Sequence, residues 1–131
     1  MSDELEEARI LFAAAERDRL TFALLMESGR APHENLGFLA QQACEKFLKA
    51  AMIAAGVRYE RTHDLEWLAS SARTAGLAIP VEDAALRSLN PYAVAARYEA
   101  SSVMWVAPAE AEILIERLCT WAREALGEID N

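Results

Sequence analysis

The sequence predicts an all-α protein, a four- to five-helix up-and-down antiparallel bundle. Alanine, leucine, glutamate and arginine are abundant, and all four favour helix. Only five glycines and four prolines occur, too few for a turn-rich all-β fold. Apolar residues recur at steps of three and four along most of the chain, and the connections are mostly short, which favours antiparallel neighbours.

The first two helices have the clearest boundaries. Ser2 is a good N-cap, and the apolar pattern that follows it closes at Gly29. A second helix runs from about Glu34 to Ala55, and Gly56 ends it. One stripe of this helix is rich in alanine, which indicates close packing against a neighbouring helix.

Three further helices are predicted from turn and capping signals. Their predicted limits are Thr62 and Gly76 for the third, Pro80 and Asn90 for the fourth, and Pro108 and Gly127 for the last. The segment 92–108 is expected to be a short helix followed by an irregular loop.

Length, composition and charge restrict the class of protein. With 131 residues, 53% hydrophobic and 26% charged, the chain is expected to be a single domain over residues 1–131 with a real core. A net charge of −8 argues against a broad grip on nucleic acid but leaves room for a small positive pocket.

The expected location is the cytoplasm. Cys44 and Cys119 lie inside apolar helical patterns, which suits a reduced, buried pair better than a disulfide. No apolar run reaches the roughly 18 to 20 residues that a membrane span requires, and the acidic N-terminal residues differ from the start of a signal peptide. We expect no membrane contact.

Polar residues share one face of the second helix, opposite the alanine stripe. These residues are Gln42, Glu45, Lys46 and Lys49. They form either a solvated face with a Glu45–Lys49 pair or one wall of a binding pocket.

The junction between the second and third helices concentrates positive charge. Arg58, Arg61 and His63 lie between a helix end and a helix start, where free backbone N–H groups favour a phosphate. Asp64 either caps the next helix or hydrogen-bonds to His63. An ordinary polar helix start remains the alternative.

Arg97 and Tyr98 follow an apolar run, where an arginine commonly pairs with a carboxylate and a tyrosine packs its ring.

No histidine and cysteine cluster has the spacing of metal ligands, and no glycine-rich phosphate loop occurs. We therefore predict no metal and no cofactor.

Three segments together carry a family resemblance. They are "QQACEKFLK" at residues 41–49, "THDL" at 62–65 and "YAVAARY" at 92–98. In this order and spacing the chain resembles the HEPN (higher eukaryotes and prokaryotes nucleotide-binding) domain family over about residues 14–125.

The resemblance implies a four- to five-helix bundle, usually a dimer. It implies binding of a nucleotide or RNA, and a minimal nucleotidyltransferase as partner in a toxin–antitoxin or two-component system. The polar residues of the second helix would then face Arg97 and Tyr98 across a ligand pocket, with Arg61 and Asp64 close by.

Other members of the family are metal-independent ribonucleases with an Arg-x(4–6)-His motif. Arg58 and His63, separated by four residues, match that spacing. In the ribonucleases the motif lies on a late helix, whereas here it lies at the second junction, so ligand or partner binding is the leading hypothesis. A ribonuclease using Arg58 and His63 is the alternative.

We also predict a homodimer. Large apolar side chains that one small bundle need not bury are Trp67, Met104, Trp105 and Trp121. A dimeric scaffold without ligand is the second alternative.

Overall fold

A computed structural model describes residues 2–93 and 106–130. Within these residues the chain forms helices and no strands, which confirms the predicted all-α class. The helices are α1 Ser2–Ser28, α2 His33–Ala54, α3 Leu65–Thr74, α4 Asp83–Arg87 and α5 Pro108–Asp130.

Helices α1 and α2 pack against each other in antiparallel orientation. Residues 29–32 connect them, and the pairing of side chains runs in opposite directions along the two helices: Ala8 packs with Ala50, and Asp18 binds Lys46. Because the connection is short, the two helices must turn back on one another.

Helix α5 is also antiparallel to α1. Its Glu116 binds Arg19, and its Leu126 packs in one cluster with Ala8. Consequently α2 and α5 run in the same direction, with α1 packed against both.

Helix α2 occupies the centre, contacting α1, α3 and α5. Its alanine-rich stripe is buried as predicted: Leu36, Ala40, Ala43, Phe47, Ala50 and Ala51 are all inaccessible or nearly so. Unlike a surface helix, α2 also buries polar side chains on another face, where Gln41 and Glu45 lie.

A close approach near the start of α2 requires glycine. A Cβ atom at Gly37 would lie 2.2 Å from ring atoms of Tyr92, which is a clash with a fully buried side chain. The Tyr92 hydroxyl in turn accepts a hydrogen bond from the Val106 N–H at 2.9 Å. Tyr92 therefore fixes the segment after α4 against α2.

Two predicted helix starts are wrong. Asp64, not Thr62, caps α3, since its carboxylate accepts the Trp67 N–H at 3.1 Å. The Thr62 hydroxyl instead accepts a hydrogen bond from the N–H of Asp64, the N-cap residue, at 3.0 Å. Pro80 lies before α4, which begins at Asp83 after the N-cap residue Glu82.

Gly127 does not end α5, which continues to Asp130. The glycines that follow α1, α2 and α3 differ, because Gly29, Gly56 and Gly76 have positive φ values of 69°, 76° and 97°. This left-handed conformation reverses the chain at a helix end, and Gly127 does not adopt it.

Candidate functional site

Glu45, on α2, is buried with only 5% of its surface exposed. The solvated-face alternative therefore does not hold for Glu45, although its predicted pair with Lys49 is present. The segment 55–64 between α2 and α3, called here the junction loop, folds back over this part of α2 and brings His63 to the carboxylate.

The Glu45 carboxylate accepts three side-chain hydrogen bonds. The Gln41 amide donates at 3.1 Å and His63 Nδ1 at 2.9 Å to one oxygen, and Lys49 Nζ donates at 2.9 Å to the other. These four residues, Glu45, Gln41, Lys49 and His63, are called the Glu45 cluster.

Burial and hydrogen bonding shift the pKa of the Glu45 carboxyl group in opposite directions. Burial alone raises the pKa of its carboxyl group, but hydrogen bonds from Lys49, His63 and Gln41 together outweigh burial. The pKa consequently lies below its usual value of 4.5, so the group is a carboxylate at neutral pH.

His63 is the exposed end of this cluster. Its side chain is 71% exposed, whereas that of Glu45 is 6% exposed. One ring nitrogen is therefore held by a buried carboxylate while most of the ring faces solvent.

Gln41 was not singled out in the sequence, although it is fully buried. Its amide nitrogen also donates to the backbone carbonyl of His63 at 2.9 Å, and its oxygen accepts from Gln42 at 2.7 Å. Gln41 thus anchors the backbone of the junction loop, and Gln42 joins the cluster only through it. Its position four residues before Glu45 was the available signal.

Tyr59 is a second residue that the sequence did not indicate. The Lys49 ammonium lies 5.1 Å from the centre of its ring, and its hydroxyl donates to Glu7 of α1 at 3.3 Å. Tyr59 therefore connects the Glu45 cluster with α1.

A cleft of about 470 Å³ opens beside Tyr59. Its walls include Arg58 and Arg61 from the junction loop and Glu4 and Glu7 from the start of α1. Both arginines are exposed, and neither makes a hydrogen bond or an ion pair within the described part of the chain. These guanidinium groups are therefore not neutralised within their own loop.

The remaining predicted residues are dispersed. Lys46 points to α1 and binds Asp18 at 2.6 Å, away from Glu45. Asp64 does not bind His63, because its carboxylate caps α3 and accepts from the Asn90 amide at 2.9 Å. Arg97 and Tyr98 lie outside the described residues.

A different charged cluster joins α1 to α5. Arg19 donates two hydrogen bonds to Glu116, at 2.6 and 2.7 Å, and the Cys119 thiol donates to Glu16 at 3.1 Å. Burial and the neighbouring Glu16 raise the pKa of Cys119 to about 11. Cys44 and Cys119 are both free and buried.

The side chains of the described segments form no group of three or more histidine, cysteine, aspartate or glutamate residues placed to hold a metal ion. No helix in these segments is long and apolar enough to cross a membrane.

Comparison with known proteins identifies the family. Residues 8–124 match the family model of the HEPN domain, which covers most of the chain. Searches of curated proteins and of solved structures give no match. The chain therefore belongs to the HEPN domain family, a family of nucleotide-binding and ribonuclease-type proteins.

Proposed function

We propose that this HEPN protein binds a nucleotide in the cleft beside the junction loop, with Arg58 and Arg61 holding its phosphates. The observation that carries the proposal is that these two guanidinium groups are exposed and unpaired within the described residues, in one concave site. Guanidinium groups bind phosphate oxygens in a bidentate geometry, which makes them effective even on an acidic protein.

The size of the cleft supports this proposal. Its volume of about 470 Å³ falls within the range of small-molecule sites, roughly 300 to 1,000 Å³. The Tyr59 ring forms part of the wall and offers an aromatic surface beside the arginines.

The carboxylates of Glu4 and Glu7 lie in the same cleft and would repel a phosphate placed next to them. Carboxylates are, however, good acceptors for ribose hydroxyls, as in dinucleotide-binding sites. We therefore place the phosphates at the arginine side and the sugar toward α1.

Binding of nucleoside triphosphates in calorimetric titration tests this proposal. Saturable binding of at least one nucleotide is the expected result, and no heat of binding with any of them contradicts it.

We further propose that the partner of the chain is a minimal nucleotidyltransferase, in a toxin–antitoxin or two-component system. Membership of the HEPN family supports this partner. A pull-down with a nucleotidyltransferase encoded next to the chain should recover a complex, and failure to recover one rejects this part of the proposal.

We also propose a homodimer, but its interface is placed on residues other than those named in the sequence analysis. Of the side chains first considered, Trp67 is 51% exposed, Trp121 is half-buried, and Met104 and Trp105 lie outside the described residues. Better support comes from an exposed apolar stripe along α1, formed by Ile10, Leu20 and Leu24 at 61%, 60% and 58% exposure.

One observation favours the second candidate, a metal-independent ribonuclease. The buried Glu45 holds His63 by one ring nitrogen, an arrangement that suits a general base acting on a ribose 2′-hydroxyl, while Arg58 would stabilise the phosphate. RNA cleavage that persists in EDTA and disappears in His63→Ala would establish it. Absence of cleavage leaves nucleotide binding as the function.

A further inference from the structure

A second cleft adjoins the cleft that holds Arg58 and Arg61. It has a volume of about 310 Å³, and its walls are the first turns of α1 and the side chain of Tyr59. Glu7 and Tyr59 line both clefts, so the two are contiguous and one ligand can lie across them. The proposed nucleotide site therefore continues along α1, past the carboxylates assigned to the sugar.

The two clefts differ in hydrogen-bonding chemistry. The first presents two guanidinium groups, whereas the described residues that line the second include no basic side chain. Asp3 and Glu6 are exposed and line only the second cleft, and a carboxylate can only accept hydrogen bonds. The hydroxyl of Tyr59 already donates to Glu7, at 3.3 Å. A ligand group held in the second cleft must therefore supply the donors, which a phosphate cannot do.

The second cleft also offers apolar and aromatic surface. Leu11 is half-buried and Ile10 is 61% exposed, and both line it beside the ring of Tyr59. The Lys49 ammonium lies 5.1 Å from the centre of that ring but lines neither cleft. The ring surface that borders the clefts is therefore not the one that Lys49 covers, and a flat base can stack on it.

We propose that the second cleft binds guanine, with the base stacked on Tyr59 and its N1–H and 2-amino groups donating to the carboxylates of Asp3 and Glu6. This inference rests on the proposed nucleotide site and names the base that the site prefers. Guanine has two adjacent donors on one edge, which match a pair of acceptors. Adenine offers one amino group beside an acceptor nitrogen, and uracil offers one N–H between two carbonyl oxygens.

The order of the groups along the site agrees with this assignment. The phosphates lie at the arginines of the first cleft, and the sugar lies beside Glu4 and Glu7. Glu7 borders both clefts, so the base attached to that sugar reaches the second cleft directly. Phosphate, sugar and base thus meet donors, acceptors and a stacking surface in the sequence in which a nucleotide carries them.

Titrations with GTP and with inosine triphosphate (ITP) test the inference. The two nucleotides carry the same charge and differ only in the 2-amino group, so the ratio of their affinities isolates the contact with the carboxylates. The wild-type protein should bind GTP about tenfold more tightly than ITP, the usual effect of a hydrogen bond to a charged group. In the double variant Asp3→Ala and Glu6→Ala the ratio should fall to about one. Glu27→Ala, which removes an exposed carboxylate near the other end of α1, is the control and should leave the ratio unchanged.

The stacking role of Tyr59 has its own pair of variants. Tyr59→Leu keeps an apolar side chain but removes the ring, and should bind GTP about tenfold more weakly. Tyr59→Phe keeps the ring and loses only the hydroxyl, so it should bind GTP nearly as the wild type does. Circular dichroism shows whether each variant is folded. Equal GTP affinity of folded Tyr59→Leu and of the wild type overturns the stacking.

The two proposals fail separately. Equal affinity of the wild-type protein for GTP and ITP overturns the inference and leaves the nucleotide site standing. The same equality is expected if the acidic cleft holds a cation, such as a polyamine, instead of a base. Absence of binding with every nucleotide overturns both proposals.

Discussion

The Glu45 cluster and the cluster between α1 and α5 contain similar residues in different environments. Arg19 and Glu116 are 33% and 49% exposed, whereas Lys49 and Glu45 are 12% and 6% exposed. In the cluster between α1 and α5 the charged groups satisfy one another, as Arg19 binds Glu116 and Arg123 lies near Glu16. In the Glu45 cluster the chain of contacts ends at the exposed ring of His63.

This difference is the basis for proposing that the Glu45 cluster, and not the cluster between α1 and α5, serves binding. Ion pairs in contact with water contribute little to stability and leave no group available for a ligand. A buried carboxylate, by contrast, fixes the geometry of everything bound to it, and here it fixes His63, a solvent-facing side chain two residues after the exposed Arg61.

The largest expected difference concerns stability. Glu45→Ala leaves Lys49 largely buried without its partner and should lower the free energy of unfolding by about 3 kcal/mol or more. Glu116→Ala, the matched change in the exposed cluster, should cost less than about 1 kcal/mol. Urea denaturation monitored by circular dichroism measures both.

Replacing both buried partners sharpens this contrast. In the double variant Glu45→Met and Lys49→Met no buried charge is left unpaired, so most of the stability should return. Equal losses in Glu45→Ala and Glu116→Ala would mean that the two clusters do not differ as described.

Acid should affect the two clusters unequally. Because the folded pKa of Glu45 lies below 4.5, its contribution to stability is complete above pH 4.5 and is lost as the pH falls through the folded pKa. In thermal unfolding the wild-type protein should therefore keep its advantage over Glu45→Gln down to about pH 4.5 and lose it as the pH falls from there through the folded pKa. An advantage that stays constant over this range would contradict the assignment. Glu116→Gln is the comparison: the Arg19 guanidinium also lowers the pKa of Glu116, but solvent screens this exposed pair, so the loss in acid should be smaller.

The outer side of α1 provides a smaller and separate contrast. Leu20→Glu places a charge in the exposed apolar stripe and should convert the proposed homodimer to a monomer in sedimentation at micromolar concentration, with little change in unfolding. Ile113→Glu, at a 50% exposed position on α5, is the control and should leave the dimer intact. A wild-type monomer at the same concentration would refute the dimer.

Sequence periodicity was sufficient for the helices but not for the site. It located α1 and α2 within one residue or so, because apolar spacing and left-handed glycines mark their limits. It left the face of Glu45 undecided, since a polar residue opposite an apolar stripe looks solvated until the junction loop is known to cover it.

The cap of α3 illustrates the same limit. Thr62 and Asp64 are both good caps, and only Asn90, distant in sequence, decides between them. Its amide donates to Asp64 at 2.9 Å and its oxygen accepts the Leu65 N–H at 2.8 Å. Tyr59 has no periodic signal at all, because its partners, Lys49 and Glu7, come from other segments of the chain.

The central claim is that Arg58 and Arg61 form the phosphate side of a nucleotide site, and a titration of the double variant Arg58→Ala and Arg61→Ala tests it most directly. Each charge-assisted hydrogen bond contributes about 1.5 to 3 kcal/mol, so the variant should bind its best nucleotide at least tenfold more weakly. Its melting temperature should hardly change, because both side chains are exposed. Arg30→Ala, in the connection that follows α1, removes one positive charge away from the cleft and should bind as the wild type does. Equal affinity of the double variant and the wild type would contradict the account.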